Sequence, residues 1–110
     1  MIDRIKESDW KYLNKLKPIL LERVCAKINR EAELKLENKK NQSQYEVYMA
    51  LYKHYEQKDK LIAECFDDYR RSTAIYKILH LLNKKVMTDD EFEGFSSETQ
   101  EIIKIFKGEA

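Results

Sequence analysis

From Gln44 to Val86 the chain contains no glycine and no proline, and over the same stretch its side chains fall on one seven-residue grid. The grid opens with Tyr45, Tyr48, Tyr52 and Tyr55 and continues through Asp59, Ile62, Phe66, Tyr69, Thr73, Tyr76, His80 and Asn83. Alternating steps of three and four put all of these on one side of an α-helix, whose repeat is about 3.6 residues. The pattern predicts one amphipathic helix of about 43 residues, roughly 64 Å long. A compact chain of this size has a radius of gyration of about 13 Å. Such a helix must therefore bend, at 57–60 or at 70–73, or else make the molecule elongated and oligomeric.

Two glycines and one proline in 110 residues are too few for a sandwich or barrel, in which turns recur about every 8–12 residues. The chain reads as a single all-α domain over residues 1–110, with 43% hydrophobic residues to supply one modest core. Ser8 is placed to cap a short first helix from Asp9 to about Lys17, carrying Trp10, Leu13 and Leu16 on one face. Pro18 ends or kinks it and suits the first turn of a second helix over 18–40, with a stripe of Ile19, Leu20, Leu21, Val24, Cys25, Ile28 and Ala32. The stretch from Asn38 to Ser43 has no apolar residue and ends in a capping serine, which marks the turn of a helical hairpin. Thr88 and Glu91 form a capping box for a short helix at 89–93 that stops at Gly94. Ser96-Ser97-Glu98-Thr99-Gln100 offers a second cap, opening a last helix to Lys107, ended by Gly108. The expected architecture is a bundle-like hairpin of two long helices with short N-terminal and C-terminal helices packed around it. Trp10, Leu13 and Leu16 should meet residues 66–76, and Ile102 to Phe106 should fold back on residues 75–86.

The net charge of +1 conceals a segregation: +4 over residues 1–42, +2 over 43–87 and −5 over 88–110. A basic body with an acidic end can close on itself or dock head to tail. No run approaches the ~20 apolar residues of a membrane span, and Met1-Ile2-Asp3-Arg4 lacks the apolar stretch of a secretion signal. A cytoplasmic setting without a membrane partner is expected. Cys25 and Cys65 agree with it, because a hairpin turning near residue 42 sets Cys25 opposite residue 59. That leaves Cys65 about 9 Å away along the helix, too far for a disulfide, so both read as small apolar residues.

In that hairpin Tyr45 to Tyr55 lie opposite residues 29–39, where only Ala32, Leu34 and Leu36 are apolar. Those three cannot cover four tyrosines together with Val47, Met49 and Leu51. The surplus predicts a contact surface, formed by Tyr45, Tyr48, Tyr52, Tyr55, Val47 and Leu51, for a second copy or a partner protein. Further along, Asp68, Arg71, Ser72 and Thr73 form a candidate polar pocket for a small anion or carboxylate, the plainer alternative being an Asp67–Arg71 pair on the helix surface.

Catalytic signatures are missing from the sequence. There is no Gly-x-Ser-x-Gly, no cysteine close in sequence to a histidine, and too little glycine for a phosphate-cradling loop. His54 and His80 lie 26 residues apart, about 39 Å along a straight helix, and cannot share an ion. No catalytic residue, metal set or cofactor is assigned. Glu64-x-x-Asp67 resembles one half of the carboxylate motif of all-α nucleotide pyrophosphatases, although Glu22, Glu31, Glu33 and Glu37 do not complete the upstream half. The resemblance implies, as the alternative reading, a small-ligand or nucleotide-binding helical protein extending to a metal-dependent hydrolase. Arg23, Lys27 and Arg30 make a basic stripe, but the same four glutamates dilute it, and nucleic acid is not an expected partner. The first reading is a non-enzymatic interaction or regulatory protein that forms a homodimer through its tyrosine-rich helix face.

Overall fold

The computed structural model describes residues 5–108 as five α-helices and one short 3-10 turn, without a strand among the described residues. The Met1-Ile2-Asp3-Arg4 stretch read for a secretion signal lies outside them. Helix α1 (Glu7–Glu37) and helix α2 (Gln44–Phe66) form an antiparallel hairpin. Tyr55 meets Asn29 near its middle, and Tyr69 reaches Leu13 at its open end. Helices α3 (Ala74–Asn83), α4 (Asp89–Phe92) and α5 (Ser97–Phe106) pack around that open end. The molecule is all-α and bundle-like, as the periodicity predicts.

The N-terminal half departs from expectation at Pro18. A single helix runs from Glu7 through the proline to Glu37, rather than two helices meeting there. Leu13, Leu16, Leu20, Val24, Ile28 and Ala32 are all buried along one stripe that crosses Pro18, so breaking the helix would misalign its two halves on a common core. Asn14 and Pro18 both lie on the exposed face, and the Asn14 carbonyl that loses its donor is open to water. Ser8 is likewise not the cap. The cap position is Lys6, without a side-chain hydrogen bond, and Ser8 sits inside the first turn.

The long helix does not run to Val86 but breaks beside the second of the two positions the sequence allowed for a bend, 70–73: α2 ends at Phe66. Residues 67–70 turn, a 3-10 segment follows at Arg71–Thr73, and α3 leaves in a new direction. No helix breaker causes this. Asp68 adopts a left-handed backbone (φ 53°), which aspartate tolerates better than most residues. The Tyr69 ring then turns inward, 5.5 Å from Trp10 and 6.4 Å from Phe66, with Lys17 Nζ 4.2 Å above it. Its hydroxyl donates to the Leu13 carbonyl at 3.3 Å, and burial pushes the phenol pKa well up. The turn also resets the helical phase. The buried face of α3 is Ala74, Ile75, Ile78 and Leu81, while Tyr76 and Asn83, which the seven-residue grid placed inward, are exposed.

Caps close the remaining elements. Asn38 Nδ2 returns to the Leu34 carbonyl, and Asn41 takes a left-handed turn (φ 58°). Ser43 and Glu46 then exchange side-chain and backbone hydrogen bonds in a capping box, repeated by Thr88 and Glu91. Ile103 is fully buried, and Phe106 stands edge-on to Tyr76, bringing α5 back onto α3.

The core built by these contacts occupies only one end of the hairpin. Beyond Ala32 on α1 nothing is buried, and before His54 on α2 only Val47 is. The radius of gyration is 17.1 Å and the extents are 54 × 24 × 23 Å, so the hairpin tip projects from the body as a bare two-helix arm.

Candidate interaction surface

Helix α2 has two working faces along this arm. The inner one carries Val47 and His54, seven residues apart, and closes onto α1. His54 is 6% exposed, and its Nε2 donates to the Ile28 carbonyl at 2.9 Å; only a donor satisfies a carbonyl, so the proton is on Nε2. Val47 belongs to this seam at 5% exposure, and it is therefore not part of an outward contact surface as its neighbours in sequence suggested. Leu51 is half-buried at the boundary.

The other face carries the tyrosines. Tyr45, Tyr48, Tyr52 and Tyr55 are 70%, 61%, 54% and 45% exposed. Tyr45 and Tyr48 tilt against each other with ring centroids 6.5 Å apart. Tyr55 donates its hydroxyl to Asn29 Oδ1 at 2.8 Å, which fixes that ring at the foot of the row. Tyr48, Leu51, Tyr52, Tyr55 and Glu56 line a shallow, largely apolar depression. Leu34 and Leu36 on α1 are also exposed, so neither of them buries itself against α2.

The polar quartet of the α2–α3 connection is close in space because it is close in sequence, yet its groups bind one another. Arg70, not Arg71, holds Asp68 through two hydrogen bonds of 2.6 and 3.0 Å, and this partner keeps the Asp68 carboxyl below its usual range. Thr73 Oγ1 accepts from the Arg70 N–H and donates to the Asp68 carbonyl. Arg71 Nε reaches the Ile5 carbonyl at 2.8 Å and anchors the N-terminal segment, so the Asp67–Arg71 pair does not form. Ser72 sits within the 3-10 turn. These contacts close a turn and leave Asp68, Arg71 and Thr73 engaged.

Glu64, half of the carboxylate pair, meets His80 Nδ1 at 2.8 Å, and Asp67 is the C-cap of α2. Among the described residues no group of three or more His, Cys, Asp or Glu side chains is arranged to hold a metal ion. Burial pushes the Cys65 thiol up to about 11, which keeps it protonated at neutral pH as a core residue.

Two long-range polar joints had no local signature. Asp9, 3% exposed, accepts from Ser96 N (2.8 Å), Ser96 Oγ (2.6 Å) and Thr99 Oγ1 (2.7 Å). Burial raises its pKa, but the hydrogen bonds from Ser96 and Thr99 outweigh it and leave the carboxyl lowered. Arg23 grips Glu91 with two hydrogen bonds of 2.7 and 3.1 Å and also donates to the Val86 carbonyl. Those bonds lower the Glu91 carboxyl to about 2. The one hint in the sequence was the opposition of a basic body to an acidic end, and the chain resolves it by closing on itself. No helix among the described residues is long and apolar enough to cross a membrane. No family model matches the chain, and no curated protein or solved structure was found to be similar to it.

Proposed function

We propose that this chain is a non-enzymatic interaction protein that pairs with a second copy of itself through the tyrosine face of α2. The observation that carries the reading is that row of four tyrosines, 45–70% exposed, on an arm that no third element covers among the described residues. A tyrosine buries about 150–250 Å² when fully covered, so these fractions leave roughly 350–550 Å² per copy. Two such faces in contact remove roughly 700–1,100 Å² before Leu51 and the flanking stems are added, close to the ~1,000 Å² lower limit for a specific interface. A pair of that size falls among the weak, transient interfaces.

A second copy fits better than a charged partner. The flanks of α2 mix Glu46, Glu56 and Asp59 with Lys53, Lys58 and Lys60, so no single-sign field selects an oppositely charged surface. A twofold axis across the row sets the patch against itself and needs no complementary surface elsewhere. Tyrosine suits the arrangement because the ring buries area while the hydroxyl stays hydrated at the rim. We extend the reading to a cytoplasmic setting, which Cys25 and Cys65 support as free thiols.

Sedimentation velocity across about 1–200 μM, the span of such affinities, tests the proposal. The unmodified chain should pass from monomer to dimer, and Tyr48→Ala with Tyr52→Ala should remain monomeric at the same helical content. A monomer at every concentration, or a dimer indifferent to the double substitution, rules the homodimer out.

A further inference from the structure

We infer that the pocket where α1, α2 and the end of α3 meet is a binding site for the phosphate group of a small soluble ester. It lies at the base of the arm, on other residues than the tyrosine face. Its floor is apolar, built from Val24 and Ile28 of α1, Leu61 of α2, and Val86. Its rim is cationic, with Arg23, Lys27, Lys58, Lys84 and Lys85, and among the described residues Glu31 is the one carboxylate lining it.

The cations differ in what already holds them. Arg23 is taken by Glu91 and the Val86 carbonyl, and Lys58 Nζ stands 3.9 Å from Glu31. Lys27, Lys84 and Lys85 have no carboxylate at ion-pair distance among the described residues. Three uncompensated ammonium groups around a concave apolar floor concentrate positive potential where water is partly excluded. A phosphate dianion, with several terminal oxygens, can be shared among three such point charges.

Backbone geometry supplies an independent indication. Lys85 is left-handed (φ 59°) in the turn that ends α3, where Val86 N and Met87 N both return to the Leu81 carbonyl. Helix ends of this kind favour glycine, and asparagine is the common substitute. The other non-glycine residues at positive φ among those described are Asn41 and Asp68, which tolerate it; a lysine does so less readily. Unfavourable backbone kept at one position tends to mark a functional site, and Lys85 is one of the residues lining the pocket. Glu31 adds a further group. Its Oε1 is buried without a hydrogen-bond partner and can accept from a hydroxyl on the alcohol portion of an ester.

Calorimetric titration of inorganic phosphate and of phenyl phosphate into the 110-residue chain at low salt tests the site. The cavity encloses only about 70 Å³, room for the phosphate group and not for an aromatic ring as well, so phenyl phosphate should bind about as tightly as inorganic phosphate. Lys27→Gln and Lys84→Gln should each weaken it about three- to tenfold. Lys85→Gly is the diagnostic variant: it should weaken phenyl phosphate to a similar degree while raising Tm by about 3–6 °C, since the turn relaxes as the charge leaves. Tyr48→Ala with Tyr52→Ala should leave the affinity unchanged, so the two sites stand or fall separately. No saturation by either probe at about 10 mM, which is weaker than any specific ester site, overturns the inference. Unchanged affinity in Lys85→Gly does so as well, as does binding to phosphatidic-acid vesicles with neither soluble probe bound.

Discussion

The Asp9 carboxylate joins the first turn of α1 to the first turn of α5, and it does so across 87 to 90 residues of chain. Removing it leaves the Ser96 and Thr99 donors without their acceptor at a nearly dry site. Asp9→Ala is therefore expected to cost about 2–4 kcal/mol, measurable as a lower urea midpoint. Gly94 is constrained by a neighbour instead. A Cβ there would overlap the Tyr12 hydroxyl, which donates to the Glu91 carbonyl, and the Tyr12 ring is wedged edge-on against Phe95 at 4.9 Å. Gly94→Ala should cost about 1–3 kcal/mol by displacing that ring. Glu91 carries a pH signature. Its folded pKa is about 2 against an ordinary 4.5, so the stability it contributes is complete above pH 4.5 and is lost as pH falls towards 2. Allowing for a partly exposed Arg23, that contribution is on the order of 2 kcal/mol. Urea midpoints should hold from pH 7 to 5 and then decline, and Glu91→Gln should flatten the decline.

Helix α1 tolerates a proline in its interior because the stripe on either side of it is buried on one core. In an isolated helix Pro18 costs about 3 kcal/mol relative to alanine. Since Pro18 is exposed, Pro18→Ala restores a hydrogen bond without disturbing packing, and the variant should gain about 2–3 kcal/mol in denaturant melts. An unchanged or lower midpoint would mean that α1 gains from bending there. Helix α2 shows the opposite balance. Its continuation past Phe66 meets no local obstacle, yet the turn brings Tyr69 between Trp10 and Phe66 and lets Ile75, Ile78 and Leu81 reach the shared core. A straight extension would leave those side chains in water, and burying each is worth about 1.5–3 kcal/mol, more than the few helical hydrogen bonds given up.

As a whole the molecule is a compact helical body with a two-helix arm, 54 Å long and about 24 Å across. Stability should be graded along that axis. Residues 33–46 are uniformly exposed, so amides near the tip should exchange fastest with deuterium, and those of residues 13–24 and 74–81 slowest. If the tyrosine faces pair, protection of residues 45–56 should also rise with protein concentration, whereas the body should be indifferent to it. Protection that is uniform along the arm at low concentration would contradict the graded picture.

By itself the sequence determined whatever depends on a few consecutive residues: the all-α class, the turn at 38–43, the capping Ser43, the box Thr88–Glu91, and a cap within 96–100. It also located the tyrosine row, since a 3.6-residue repeat assigns faces wherever a helix is unbroken. Only the tertiary structure decided that α1 passes through Pro18, that α2 stops at Phe66, and that Val47 turns inward while the tyrosines beside it do not. The same holds for Asp9 with Ser96 and for the lysines of α1, α2 and the α3 terminus that share one pocket. The physical reason is common to all of these. Each is settled by apolar burial or charge pairing between segments tens of residues apart, and such terms outweigh local preference without leaving a local trace.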